Sequence, residues 1–412
     1  MAFSRRQFMQ LTAGGLLIPS PLLAAEPNDR LFIYIFVRGG WDPTFVFTNQ
    51  LNSPLVYTPQ NTDLVSGGDF DFMGSPNRPN VNRFFEQYSD QCCIINGLEI
   101  ESLTHDACRR IIFTGQASAG KDDWPAIIGS HSDYDLPVMV ISGPSYTSAY
   151  SHVVVRAGED GQLAGLLDGT ALNKSDVNVS PLNESSTDHV QRFLKQRIQR
   201  QEEAVNAGRE QLFMQNLLNS HEQRESAQSL DDFDLGSATG FVSVPNQIEA
   251  GIATLTEGMS RCMVVEHNGL YESGWDHHSN INSQSAHFDL LFEDLYWLMS
   301  KISMWGLEDR LSVVVFSEMG RAPQLNPING KDHWTFTSAM LLGAGVQGGQ
   351  IIGGYDSNLI GSPIDFNSGA VFDGGSRINS KHFGATLLSL AGIDPGDYLG
   401  NTEPIHAALS GD

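Results

Sequence analysis

The strongest pattern along the chain is a series of continuous apolar runs, each closed by glycine or a small polar residue. They are 31-LFIYIFVRGG-40, 91-QCCIING-97, 136-LPVMVISGP-144, 261-RCMVVEHNG-269, 311-LSVVVFSEMG-320 and 338-SAMLLGAG-345. Such runs lack the in–out alternation of a strand with one wet face, so they predict strands buried on both faces, as in a mostly parallel sheet. Helical stretches separate them. One opens near Thr104 in 104-THDACRRIIFTG-115, and a short one with an early proline lies in 122-DDWPAIIGSH-131. Others cover 246–259, the neighbourhood of 283–306, and 381–393. Strands alternating with helices predict an α/β fold, a mixed and mostly parallel central sheet flanked by helices. The glycine-rich 343-GAGVQGGQIIGGY-355 reads as a hairpin.

One stretch breaks the alternation. From 186 to 226 the chain has no proline and one glycine, with Val190, Phe193, Leu194 and Ile198, then Leu212, Phe213 and Leu217, at helical spacing. It predicts one or two long amphipathic helices over about 186–230, inserted into the α/β unit. The polar 229-SLDDFDLGSATGFVS-243 then leads back. Residues 26–412 read as a single domain carrying this insertion, with no internal repeat.

The N-terminus differs again. In 1-MAFSRRQFMQLTAGGLLIPSPLLAAEP-27, two arginines precede an apolar run that ends in small residues. That is the anatomy of a signal peptide over residues 1–25, and 4-SRRQFMQ-10 resembles the twin-arginine consensus. The expected partner during export is the twin-arginine translocase. The expected location is the periplasm or outside the cell. The apolar run is too short to span a bilayer, so no stable membrane insertion is expected after cleavage. A net charge of −24 repels nucleic acid and anionic lipid, which excludes both as partners through bulk electrostatics. The four cysteines form no CxxC pattern, so a thiolate zinc site or attached haem is not indicated, although one disulfide is possible.

Candidate chemistry collects where the apolar runs end. Asp42 follows the first, Thr104, His105 and Asp106 follow the second, and Asp276, His277 and His278 follow the strand at 261–269. Glu318 directly follows the run at 311, and Asp332 and His333 lie in 331-KDHW-334. A parallel sheet gathers such segments at one edge, the usual place for function in open α/β sheets. Carboxylate and imidazole donors together suit zinc, manganese or iron. Asp276 and His278 are two residues apart, so on extended backbone both side chains face one way, leaving His277 outside. A carboxylate straight after a fully apolar strand, as at Glu318, is costly to desolvate unless paired or metal-bound. Arg321 and Lys331 are plausible anion-binding groups.

In this order the landmarks 38-RGGWD-42, 104-THDACRRIIFTG-115, 274-GWDHHSN-280, 317-SEMGR-321, 332-DH-333 and the glycine-rich segment after them resemble the exported family called domain of unknown function 1501, within the alkaline phosphatase-like superfamily. The resemblance implies an alkaline phosphatase-like fold. It also implies hydrolysis of phosphate or sulfate esters on a small-molecule or glycan substrate, with one or two divalent metal ions, zinc or manganese. By resemblance the metal ligands are Asp42, Asp276, His278, Glu318 and His333, and the catalytic groups are Thr104, His105 and Arg321. This chain departs from the superfamily pattern at Met319, where a histidine is usual. It departs again at the nucleophile position, where His105 stands beside Thr104. His105 is therefore open to two roles, nucleophile or metal ligand. A non-catalytic metal- or ligand-binding descendant is the alternative.

Overall fold

Strand β1 (Leu31–Val37) lies near the middle of an eight-stranded sheet, and all seven of its residues are buried. A small antiparallel ribbon, β2 (Asp63–Ser66) and β3 (Asp71–Gly74), stands apart from that sheet. The remaining sheet strands are β4 (Cys92–Glu99), β5 (Val138–Val140), β6 (Val154–Arg156), β7 (Cys262–His267) and β8 (Leu311–Ser317). A second ribbon, β9 (Gly320–Arg321) with β10 (His333–Trp334), precedes the sheet strands β11 (Phe336–Gly343) and β12 (Gln350–Gly353). This computed structural model describes residues 30–411 apart from 49, 52, 158–183, most of 205–242 and 271–273.

The spatial order is β12-β4-β11-β8-β1-β7-β5-β6. β1 runs parallel to both neighbours, β7 and β8, and β5 runs parallel to β7 and β6. β11 is antiparallel to β8 and β4, and β12 is parallel to β4. The sheet is thus mixed and mostly parallel, as the apolar runs require. Among the described residues the longer helices are α1 (Pro79–Tyr88), α2 (His105–Thr114), α3 (Trp124–Ser130), α4 (Glu184–Ala204), α5 (Val244–Thr256), α6 (Gln284–Ile302) and α7 (Ser380–Leu390).

β1 shows why its pattern is continuous rather than alternating. Leu31, Ile33, Ile35 and Val37 face a core shared with Val81 and Phe84 of α1, Ile248 of α5 and Phe288, Leu291 and Leu295 of α6. Phe32, Tyr34 and Phe36 face a second core with Ile112 of α2, Trp124 of α3 and Phe383 and Leu387 of α7. Helices therefore cover both faces, and each buried large apolar side chain contributes about 1.5–3 kcal/mol. Among the described residues no helix is long and apolar enough to cross a membrane.

The sequence reading needs amending in several places. β12 does not fold back on β11 as a hairpin; it crosses to the far side of β4, with Ile351 opposite Ile94. There it covers an apolar strand edge that would otherwise expose its backbone N–H and C=O groups. The run at 136–144 forms only the three residues of β5. The β2–β3 ribbon and α1 have no counterpart among the expected elements, although Val81, Phe84 and Phe85 bury one face of α1 at helical spacing. All four cysteines are buried free thiols, so the possible disulfide is not formed. The expected signal peptide at 1–25, most of the 229–243 linker and much of the insertion lie outside the described residues. Of the insertion, α4 is helical, with Val190, Phe193 and Leu194 exposed and Ile198 buried.

Candidate metal centre

Sheet register sets the site. Val37 lies level with His267 on one side and Ser317 on the other, so β1, β7 and β8 end along one line. The loops that follow them carry Asp42, Asp276 with His278, and Glu318. The chain leaving β4 on the same edge enters α2 with Thr104 as its N-cap and His105 as its first residue. The β9–β10 ribbon pairs His333 with Arg321 and so delivers the late histidine to the same place.

Two glycines make the close approach possible. Gly39 and Gly40 both hold positive φ, +113° and +88°. A Cβ on Gly39 would fall 2.7 Å from the Asp276 nitrogen, and one on Gly40 would fall 2.8 Å from the Met319 side chain. Only glycine combines that backbone region with that contact. Gln284, at the start of α6, then clamps the loops together. Its Nε2 donates to the carbonyls of Gly40 (3.0 Å) and Trp275 (2.8 Å), while its Oε1 accepts from the Asp42 N–H (2.7 Å).

Donor atoms of His105, Asp276 and His333 lie within 4.8 Å of one another and could hold a metal ion. His105 Nε2 is 3.3 Å from Asp276 Oδ2, and His333 Nε2 is 3.4 Å from Asp276 Oδ1. His278 closes the group from the exposed side, with its Nε2 3.2 Å from Asp276 Oδ1 and 2.9 Å from His333 Nε2.

The other nitrogen of each ring is already engaged. His105 Nδ1 meets Glu318 Oε1 at 2.6 Å, His278 Nδ1 meets Asp332 Oδ1 at 3.1 Å, and His333 Nδ1 meets the Leu103 carbonyl at 2.6 Å. Carbonyl and carboxylate oxygens accept, so in the neutral rings the N–H belongs on Nδ1 and the lone pair on Nε2. With all three rings neutral, three Nε2 lone pairs would converge on one carboxylate. Outer carboxylates or carbonyls fixing the tautomer of ligating histidines are the usual surroundings of a bound metal.

Protonation in the ion-free protein tells the same story. The acceptors Asp276 and Glu318 raise the His105 imidazole to about 9 against the opposing cost of burial. Burial lowers His333, which keeps its ring neutral. Burial alone would raise the Asp276 carboxyl. Hydrogen bonds from His105 and Arg321 outweigh it and hold the group well below the usual carboxylate range. The cluster therefore demands positive charge at its centre, which a proton on His105 or a divalent cation can supply. Glu318 adds to the demand, because it is wholly buried and its Oε2 has no hydrogen-bond partner among the described residues. These residues fit a borderline divalent ion by donor type.

Asp42 and Arg321 occupy different surroundings. Asp42 is completely buried. Its Oδ1 accepts from the Thr44 N–H (3.1 Å) and hydroxyl (2.8 Å), and its Oδ2 faces Lys331 Nζ at 2.7 Å. It also caps the short turn Pro43–Phe45. Arg321, likewise fully buried, donates to the carbonyls of Gly39, Gly40 (3.0 Å), Lys331 (3.1 Å) and Trp275 (3.3 Å) and to Asp276 Oδ1 (2.6 Å). It is a strut that aims Asp276. Thr104 is exposed and makes no side-chain cap. His277 turns inward and is buried, and its carbonyl accepts from the Lys331 N–H.

The structure thus brings His105, Asp276, His278 and His333 together, with Glu318 behind His105. It joins Asp42 to Lys331, a pairing the sequence did not announce. Gln284 was also missed; a lone glutamine in the first turn of a helix carries no recognisable signal.

A family model described as "Protein of unknown function (DUF1501)" matches residues 32–410, and the chain belongs to that family. A search of curated proteins gives no match. Among solved structures, the chain is similar to the lipoteichoic acid synthase LtaP from Listeria monocytogenes, at 8% identity and a TM-score of 0.44, over 93% of this chain and 77% of that one. It is similar to the PsFucS1 sulfatase from Pseudoalteromonas sp. at 9% identity and a TM-score of 0.39, over 92% and 72%. A third is the alkaline phosphatase from the Antarctic bacterium TAB5, at 9% identity and a TM-score of 0.34, over 88% and 98%.

Proposed function

We propose that this chain is an exported, metal-dependent hydrolase of phosphate or sulfate esters. One observation supports it above the rest. His278 Nε2 and His333 Nε2 stand 2.9 Å apart while both Nδ1 atoms are engaged by oxygen acceptors. A proton on one ring or a metal ion between them would reconcile so close an approach. His105, Asp276, His278 and His333 would hold the ion, zinc or manganese by their donor set. When bound, it would polarise an ester oxygen and make water a stronger nucleophile.

The chain's own groups do the rest. The ten-residue helix α2 presents its N-terminal N–H groups beside His105, where an ester's anionic oxygens would be favoured. Thr104, exposed at that N-terminus, would offer a hydroxyl for covalent attack. Arg321 orients Asp276 from within. Export follows the twin-arginine pattern at 4–10, which puts the substrate, a small molecule or glycan ester, in the periplasm or outside the cell.

A second reading has its own support. Arg321 spends its donors on protein groups, and Met319 is buried in the core, so neither contributes to charge stabilisation at the mouth. A metal- or ligand-binding protein without turnover would show that arrangement. Elemental mass spectrometry of the purified full chain, paired with aryl phosphate and aryl sulfate assays, separates the two. The hydrolase reading expects bound metal, turnover, and loss of both in Asp276→Ala. Bound metal without turnover leaves the non-catalytic reading. Full turnover in the metal-free Asp276→Ala variant overturns the metal-dependent mechanism.

A further inference from the structure

The resemblance allows two ions and makes Asp42 a ligand. The geometry points to a different arrangement: we infer that the centre is mononuclear and that the Lys331 ammonium permanently takes the place of a second cation at Asp42. This rests on the metal-centre reading above.

Both Asp42 oxygens already face groups of the chain itself. One oxygen accepts twice from Thr44, and the other lies 2.7 Å from Lys331 Nζ with no other donor among the described residues. The ammonium is just as enclosed. Lys331 is wholly buried, with the Tyr57 carbonyl at 3.3 Å, the Thr44 hydroxyl at 3.5 Å and the Tyr57 ring centroid at 5.6 Å. A divalent ion arriving at Asp42 would have to expel this ammonium, which has no route to water without unseating its own backbone. The Lys331 N–H is bonded to the His277 carbonyl, and its carbonyl accepts from Arg321. The displaced charge would be left dry and unpaired, beside the buried Arg321 guanidinium. Each of these terms opposes the second ion.

Lys331 also ties the two halves together. Its neighbours in the chain are Asp332, which orients His278, and His333, a ligand. The ammonium that neutralises Asp42 therefore anchors the strand that delivers two groups to the real ion. A lysine here does the charge work of a metal while keeping its position when the ion leaves.

The test is stoichiometry, which does not depend on turnover. The full-length protein is stripped with chelator and titrated calorimetrically with zinc, then with manganese. The expected result is one equivalent per chain in a single transition. Two equivalents would overturn the inference while leaving the metal centre intact. No binding at all would overturn both the inference and the reading beneath it. Because Lys331→Met alone exposes a buried carboxylate and risks misfolding, the double variant Asp42→Asn/Lys331→Met removes both charges together. With folding checked by circular dichroism, it is expected to keep one equivalent. Loss of the ion from a folded double variant would show that Asp42 is a ligand and sink the proposal.

Discussion

Two acidic positions a few residues beyond neighbouring strands make an instructive pair. Asp276 is about one-third exposed and is surrounded by imidazole nitrogens of three histidines. Asp42 is wholly buried and already neutralised by Lys331. Both are aspartates after glycine-bearing turns at one sheet edge, and neither the sequence nor the edge separates them. What separates them is whether the compensating cation is part of the chain. A protein-borne ammonium makes a permanent structural joint. A convergence of imidazole nitrogens on a part-exposed carboxylate makes a site that a proton or a metal ion from solution could fill.

The comparison predicts a graded set of effects. Asp276→Ala removes the carboxylate that the Nε2 atoms of His105, His278 and His333 approach, and metal uptake measured by elemental mass spectrometry should disappear. It should also leave the Arg321 guanidinium without its acid. On the other side of the comparison, Lys331→Ala strands a buried carboxylate. Urea unfolding should show a loss of about 3–5 kcal/mol, the usual cost of breaking a buried pair. A loss under about 1 kcal/mol, the range of exposed pairs, would mean Asp42 finds water or another partner.

Smaller effects lie in the outer groups. Glu318→Gln keeps the shape but weakens the hold on His105 Nδ1, and metal affinity should fall by about 10–100-fold. Asp332→Asn should cost less, near the tenfold end of that range, because the Asp332 carboxylate is largely exposed. An equal loss in both variants would show that burial of the outer acid does not matter here.

Per pH unit, an effect about as large as that of Asp332→Asn is expected in the pH profile, and its sign is distinctive. His105 in the ion-free protein is raised to about 9, chiefly by Asp276 and then Glu318. That proton must leave before the ion can bind. Between about pH 6 and about pH 8 affinity should therefore rise by about tenfold per unit. Stability of the ion-free protein runs the other way. The contribution of His105 is fully present below its ordinary value near 6.5 and is lost as pH rises through about 9. Thermal melts with and without zinc should thus diverge as pH increases, and parallel melts would count against His105 as a ligand.

Much of this centre was readable before folding. The continuous apolar runs at 31–37, 92–95, 262–265 and 311–316 became the strands they implied, because a strand covered by helices on both faces favours apolar side chains on both. The ends of those runs named Asp276, His278 and His105, and the separate 331-KDHW-334 named His333. The two-residue spacing of Asp276 and His278 placed both side chains on one side, and the structure has them 3.2 Å apart; His277, read as the outsider, is buried instead. By contrast, the hairpin expected at 343–355 failed because local glycine content marks a turn without saying which strand the returning chain will meet.

By itself, then, the sequence determined the α/β layering, the edge at which chemistry would collect, and most of the donor atoms. These follow from hydrophobic periodicity and residue type, which act locally along the chain. Only the tertiary structure decided which acid would face which cation. Asp42 and Lys331 are joined across the fold by a contact of 2.7 Å in a space closed to water, and Glu318 lies behind His105 rather than at the centre. Electrostatic partnership depends on distance and desolvation, and neither is defined until the strands have registered and the loops have closed.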